Sequence, residues 1–339
     1  MQRRIQGTDF IKGVAILGVI LIHVTAFSLR DTKPLADGGL FFALNQLARF
    51  SVPVFFMLSG LFLFYHYYDK FTAAHFIKKR FMYILIPYLI WSIVYLIYAW
   101  ETQPQSTPHT LKRTLVVFLT GQAYYHLYFI VVMTQFYILL PFLIRLFRKF
   151  GGLTIVSFAF VVKMLANSVT WWEASSQVQW IAYFPEKALF PVWLFYFCLG
   201  GWLGQRIDRL KLLGRAPLVA VAVLFGSTGL LMLVVSFFHR ETVFFNFSVL
   251  VYSIVSFVLL FLLGIKWKQS WLSVLGRYSF GLYMIHPLVL NALSKWTPAF
   301  LPETSWTEFS FILFTVLGLS LGLSVFIRRL PYSYLLIGK

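Results

Sequence analysis

An all-α, polytopic membrane protein of about ten transmembrane helices, with both termini in the cytoplasm, is the fold expected of this chain. Three observations lead there. Of 339 residues, 60% are apolar, 20% aromatic and only 12% charged, and the mean hydropathy is +0.78, a balance foreign to water-soluble domains. Apolar runs of about 20 residues, long enough to cross a hydrocarbon core of about 30 Å, recur from end to end. The basic residues, finally, fall mainly in alternate connections. A formal net charge of +18 would suggest nucleic acid for a soluble protein, but here it reads as topology, and no nucleic-acid partner is expected.

The runs can be justified in order. The first, 10–29, follows Arg3 and Arg4 as a signal peptide would, yet Lys12 and His23 interrupt it and no A-x-A site follows, so a retained helix is expected. The second, 40–64, carries Arg49 and the pair Ser59-Gly60. Between it and the third run, 81–100, the stretch from Tyr65 to Lys79 holds His66, Asp69, Lys70 and His75 and suits an amphipathic segment on the membrane surface. That stretch leads into Lys78-Lys79-Arg80. Next comes the longest outer connection, Glu101 to Gln122, and then the fourth run, 124–144, which His126 opens. The fifth, 153–170, contains Lys163, and an outer stretch from Trp171 to Pro185 follows with Trp171, Trp172, Trp180 and Tyr183. The remaining runs are 188–205, 216–238, 244–264, 275–294 and 309–327.

With the N-terminus inside, the inner connections hold Arg3 and Arg4, Lys70 with Lys78 to Arg80, Arg145 to Lys149, Arg206 to Arg215, Lys266 to Arg277, and Arg328 to Lys339. The outer ones hold only Arg30, Lys33, Lys112, Arg113, Lys187, Arg240 and Lys295. That asymmetry sets the expected orientation. No Gly/Ser linker, charge block or repeat marks a boundary, so a single integral-membrane domain over 1–339 is expected, without an appended soluble domain. The lone cysteine, Cys198, excludes an internal disulfide.

Function is most legible in the first run. Ionisable side chains are costly inside a membrane and tend to mark functional sites. Lys12 and His23 are eleven residues apart, which returns a helix to nearly the same face about 16 Å further along its axis. An ammonium near the membrane edge with an imidazole deeper in suits an anionic group held at the surface and proton transfer within. The competing reading is a snorkelling lysine and a packing histidine. Arg49 could pair with Asp9 or hold a phosphate, or form a structural ion pair. Ser59-Gly60 allows close approach of another backbone or an acyl chain, as ordinary helix packing would too. The cluster Lys78-Lys79-Arg80 suits a topology anchor, contacts to anionic membrane lipids, or a phosphate cradle. His126 and His286 suit interfacial positions, and Trp171 and Trp172 an aromatic belt or a sugar-stacking platform. No zinc-ligand spacing, G-x-S-x-G or Walker motif occurs, so no metal is expected.

Five blocks occur in order: DFIKGVAILGVILIH (Asp9 to His23), FFMLSG (Phe55 to Gly60), KRFMYILIPY (Lys79 to Tyr88), HLYF (His126 to Phe129) and YSFGLYMIHP (Tyr278 to Pro287). Together they resemble the acyltransferase 3 family of membrane acyltransferases that modify cell-surface glycans. The resemblance implies about ten helices and an Arg/Lys-x10-His motif in the first, matched by Lys12 and His23. It implies transfer of an acyl group, acetyl or another, from cytoplasmic acyl-CoA to a hydroxyl of an extracytoplasmic or lipid-linked glycan. On that basis the CoA phosphates are expected on Lys12, Arg49, Lys79 and Arg80. His23 is expected to act as general base or to accept the acyl group transiently, with Ser59, Tyr283 or Arg49 as donors to the thioester oxygen. Acceptor contacts are expected from His126, His286, Trp171 and Trp172. Two departures stand out. Tyr83 occupies the position where members often carry a second arginine, and the hydrolase-like extracytoplasmic domain of some members would have to be supplied by a separate transferase. A polysaccharide exporter is the competing function, since buried Lys, Arg and His also suit a proton-coupled carrier.

Overall fold

The computed structural model describes residues 5, 7–29, 39–175, 186–207, 218–239, 246–267, 270–295 and 306–338, and every regular element among them is helical. The all-α expectation is borne out there. Seven helices are long and apolar enough to cross a membrane, by length and composition. The chain folds as two compact units, Met1–Phe55 with Asp208–Arg329 and Phe56–Ile207 with Leu330–Lys339.

The first unit is built on α1 (Thr8–Ser28), α2 (Gly39–Leu47) with a 3-10 turn (Ala48–Phe50), and the start of α3 (Ser51–Tyr67). Its later helices, separated from these by α4 to α9 of the second unit, are α10 (Leu218–His239), α11 (Phe247–Lys266), α12 (Trp271–Arg277), α13 (Ser279–Ser294) and α14 (Trp306–Arg329). Asp9 lies in the first turn of α1, where a carboxylate favours the partial positive charge of the helix N-terminus. Small residues then set how closely α1 is packed. A Cβ on Gly13 would run into the Leu272 carbonyl, and one on Gly276 into the Asp9 carbonyl. Within a membrane, where apolar side chains gain little by leaving lipid, such backbone contact is a principal source of helix association. Met232, Val249 and Tyr252 form a further buried cluster with Leu47, Phe50 and Phe225 against it.

The second unit holds the rest of α3, α4 (Ala73–Arg80), α5 (Ile86–Thr102), α6 (Leu111–Thr120), α7 (Tyr128–Phe150), α8 (Gly152–Ser175) and α9 (Phe190–Gly204). Gly60 of α3 meets the Phe197 carbonyl, and Gly200 of α9 meets the Met57 carbonyl. Ser59-Gly60 therefore lies at a helix-packing contact. Phe136 stacks on Phe197 at 4.1 Å between ring centroids, and Phe56 on Trp193 at 4.8 Å. Gln135 bridges to the chain entering α9 in both directions, donating to the Ala188 carbonyl (2.7 Å) and accepting from the Phe190 amide (2.8 Å).

Three local features differ from the sequence reading. The stretch before Arg80 is not a detached surface segment, because α4 continues through a π turn (Phe81–Leu85) into α5 as one helical rod. The outer connection after Glu101 contains α6, capped by the Thr110 hydroxyl accepting from the Arg113 amide. α8 extends through Ser175, so Trp171 and Trp172 lie on a helix; their side chains are outside the described residues, as are Trp180 and Tyr183. The chain closes with α15 (Tyr334–Ile337), which packs in the second unit: Trp91 Nε1 donates to the Leu336 carbonyl (2.8 Å), and Tyr334 meets Tyr83 edge-on at 5.7 Å.

Candidate functional site

The most concentrated polar chemistry in the first unit lies around α1. At its start, Lys12 Nζ donates to Asp9 Oδ1 at 3.4 Å, and both side chains are partly exposed. Further along the same helix, His23 is partly accessible. Its ring stacks on that of His286 from α13, with centroids 5.4 Å apart and planes at 27°. His286 itself is 0% exposed. The structure therefore brings together two histidines from opposite ends of the chain, one reachable and one enclosed behind it.

His286 is fixed by its own helix. Nδ1 lies 2.9 Å from the Leu282 carbonyl; since a carbonyl can only accept, Nδ1 carries the proton and Nε2 the lone pair in the neutral ring. The next residue is Pro287, inside α13. Lacking an N–H, a proline leaves the carbonyl four residues back without its helical donor, and that carbonyl, of Tyr283, also engages His286. The Tyr283 ring sits 6.4 Å from the His286 ring.

A buried amide network braces α1 on either side of His23. Asn45 Nδ2 donates to the Ile22 carbonyl (2.9 Å) and to Thr25 Oγ1 (3.0 Å), while Asn45 Oδ1 accepts from Arg49 Nη2 (3.0 Å). Thr25 Oγ1 in turn donates to the Leu21 carbonyl at 2.6 Å. Arg49 lies in the 3-10 turn between α2 and α3, 6% exposed. Its resolved partner is the amide that grips the His23 segment. Asn45 was not singled out from the sequence; the available signal was its place one helical turn before Arg49 inside an apolar run. Glu308, a buried carboxylate in the first turn of α14, also went unremarked.

The other candidates belong to the second unit. Arg80 is partly exposed and its guanidinium lies over two aromatic rings, 5.3 Å from the Phe76 centroid and 5.0 Å from that of Tyr137. Its buried Nε has no hydrogen-bond partner among the described residues. Lys78 is exposed and Lys79 partly so. This is an edge of positive charge whose arginine is pre-oriented by ring faces, and a phosphate fits it. His126 is buried among Tyr95, Tyr124 and Tyr125, with ring centroids 5.2, 5.8 and 5.7 Å away. Ser59 is partly exposed on α3. Lys163, 1% exposed, donates to the Val192 carbonyl (3.3 Å) and lies over the Tyr196 ring, as a buried ammonium in a membrane helix must find local partners. No group of three or more metal-ligating side chains occurs among the described residues.

Comparison with known proteins gives these positions a context. The chain is 23% identical over 346 residues to a probable poly-beta-1,6-N-acetyl-D-glucosamine export protein of Staphylococcus aureus (strain MSSA476), covering 97% of this chain and 95% of the relative. A protein of the same name from Staphylococcus epidermidis is 24% identical over 335 residues, covering 95% and 91%. No solved structure matches the chain. Residues 5–325 match the acyltransferase domain described for the acyltransferase 3 family, a span that takes in the Lys12 to His23 segment, the basic cluster and His286 alike, and the chain therefore belongs to that family.

Proposed function

We propose that this chain is a multi-pass cell-membrane acyltransferase that moves an acyl group, acetyl in the expected case, from cytoplasmic acyl-CoA to a hydroxyl of an extracytoplasmic or lipid-linked glycan. The observation that carries the reading is His23: a partly accessible imidazole on the same helical face as Lys12, in a chain of an acyltransferase family. Glycan as the acceptor class is supported by the poly-beta-1,6-N-acetyl-D-glucosamine in the names of the staphylococcal relatives.

The donor brings an activated thioester. Lys12, Lys79 and Arg80 supply positive charge for its phosphates, and Arg80 does so with a guanidinium already oriented by Phe76 and Tyr137. His23 takes the proton from the acceptor hydroxyl as that oxygen attacks the thioester carbon; the C–O bond forms, the C–S bond breaks, and the imidazolium returns the proton to the departing sulfur. An imidazole suits both halves because its ordinary pKa lies near neutrality.

The test is acyl transfer by the purified protein in nanodiscs, with radiolabelled acetyl-CoA and oligomers of β-1,6-linked N-acetylglucosamine, beside mass spectrometry of surface glycans from cells with and without the gene. An acyl mass that depends on the gene is expected; identical glycans in both cells would end the reading. A second reading, export of the polysaccharide itself, is favoured by the relatives' printed names. It predicts passage of the oligomers across a sealed vesicle without any acyl donor.

A further inference from the structure

Resting on that acyltransferase reading, the inference concerns what aims His23. A general base must point one ring nitrogen at the proton it removes, yet the second side-chain torsion of histidine, which sets the ring plane, is broad and weakly restrained by itself. Something outside the residue has to fix it. The Asn45 network secures the backbone around His23 through the Ile22 carbonyl and Thr25, but it leaves the ring plane undefined. The group that meets the ring face is His286, stacked at 5.4 Å and 27°.

His286 has the properties of a rigid backing plate. It is enclosed completely, tied by Nδ1 to the Leu282 carbonyl, engaged by the Tyr283 carbonyl beside Pro287, and seated in α13. A ring so enclosed offers no surface to a glycan, whereas the partly accessible His23 does. We propose that His286 is a positioning residue, whose ring stacks behind His23 and holds the catalytic imidazole in the plane required for proton transfer. The face-to-face contact between the rings is the feature that matters. The hydrogen-bonding atoms of His286 serve to hold that ring in place.

Three substitutions separate these roles. His286→Phe keeps a flat ring, His286→Gln keeps hydrogen-bonding groups without a ring, and His286→Ala keeps neither. Each is compared with wild type in nanodiscs for kcat and KM in the acetyl-CoA and N-acetylglucosamine oligomer assay, and for the nitrogen-15 ring signals of His23 by solid-state NMR. Misplacement of a reacting group by about 1 Å costs roughly 10²-fold. A loss of that order in kcat with KM held within about three-fold is therefore expected for both His286→Ala and His286→Gln, with His23 signals broadened or doubled. His286→Phe should recover most of kcat and the single set of His23 signals. Recovery by Gln instead of Phe, a change confined to KM, or His23 signals identical to wild type in the Ala variant would each overturn the proposal. The NMR readout needs no turnover. If wild type itself transfers no acyl group, the acyltransferase reading fails, while the signals still report whether His286 orders the His23 ring.

Discussion

His23 is the residue on which the proposed chemistry turns, and its replacement gives the sharpest expectation. General acid–base catalysis contributes about 10² to 10⁴ in rate, so His23→Ala should lower acyl transfer by at least that range while the protein still inserts and purifies as wild type. His23→Gln preserves a hydrogen bond but cannot cycle a proton, and should be nearly as inactive. Normal acylation of surface glycans by a well-expressed His23→Ala protein would remove the residue from the mechanism. Asn45 makes a complementary case, because its amide joins Arg49 to the helix segment that carries His23. Removing one partner from a buried hydrogen-bonded group costs about 1–3 kcal/mol. Asn45→Ala should lower the melting temperature in detergent and reduce kcat together, and an unchanged melting curve would show that the network is dispensable. The charge of Lys12 and the imidazole of His23 were visible in the sequence because ionisable groups contrast with an apolar run. Asn45 was missed because an amide carries no charge. The stacking of His286 on His23 depends on a contact between residues far apart in the chain, which no local pattern encodes.

At the level of single elements, two structures transmit function from a distance. α1 owes its close packing on α12 to the reciprocal contacts of Gly13 and Gly276 with opposing carbonyls. Gly13→Leu would force the two helices apart and displace Lys12 and His23 with α1, so the variant should lose most of its folded yield on size-exclusion chromatography. Survival of Gly13→Leu at wild-type yield would mean that the contact is slack. The continuous rod from α4 through the π turn to α5 presents Arg80, and here the expectation is kinetic. Arg80→Gln removes a charge-assisted partner without touching His23, so KM for acetyl-CoA should rise about ten- to hundred-fold, from the 1.5–3 kcal/mol such bonds contribute, with kcat little changed. An unchanged KM would return the cluster to topology alone. Each of the ten apolar runs read from the sequence overlaps a helix in the structure, since about 20 consecutive apolar residues leave the backbone few other ways to satisfy its hydrogen bonds in lipid. The π turn escaped notice because its hydropathy does not differ from that of an α-helix. Tyr83 stood out only as a missing arginine; its edge-on contact with Tyr334 shows that the position is used to seat the end of the chain.

Across the whole molecule, the family match runs through both compact units, and the distribution of basic residues supports the proposed orientation with both termini in the cytoplasm. Sidedness is therefore the property that distinguishes acylation across the membrane from modification within the cytoplasm. His23 lies about 16 Å along α1 from Lys12, which under that orientation carries it beyond the middle of a hydrocarbon core of about 30 Å. Acyl-CoA is a cytoplasmic metabolite under the proposed function, whereas a base in the outer half of the membrane is nearer to an acceptor arriving from outside. Oriented proteoliposomes test the consequence directly: acetyl-CoA is confined to the side that bears the termini, verified by protease-cleavable tags at both ends, and N-acetylglucosamine oligomers are offered on one side at a time. Acylation is expected only for oligomers on the face opposite the tags. Transfer restricted to oligomers on the same face as acetyl-CoA would place the whole reaction in the cytoplasm. Oligomers that cross unmodified, with acetyl-CoA omitted, would instead support export.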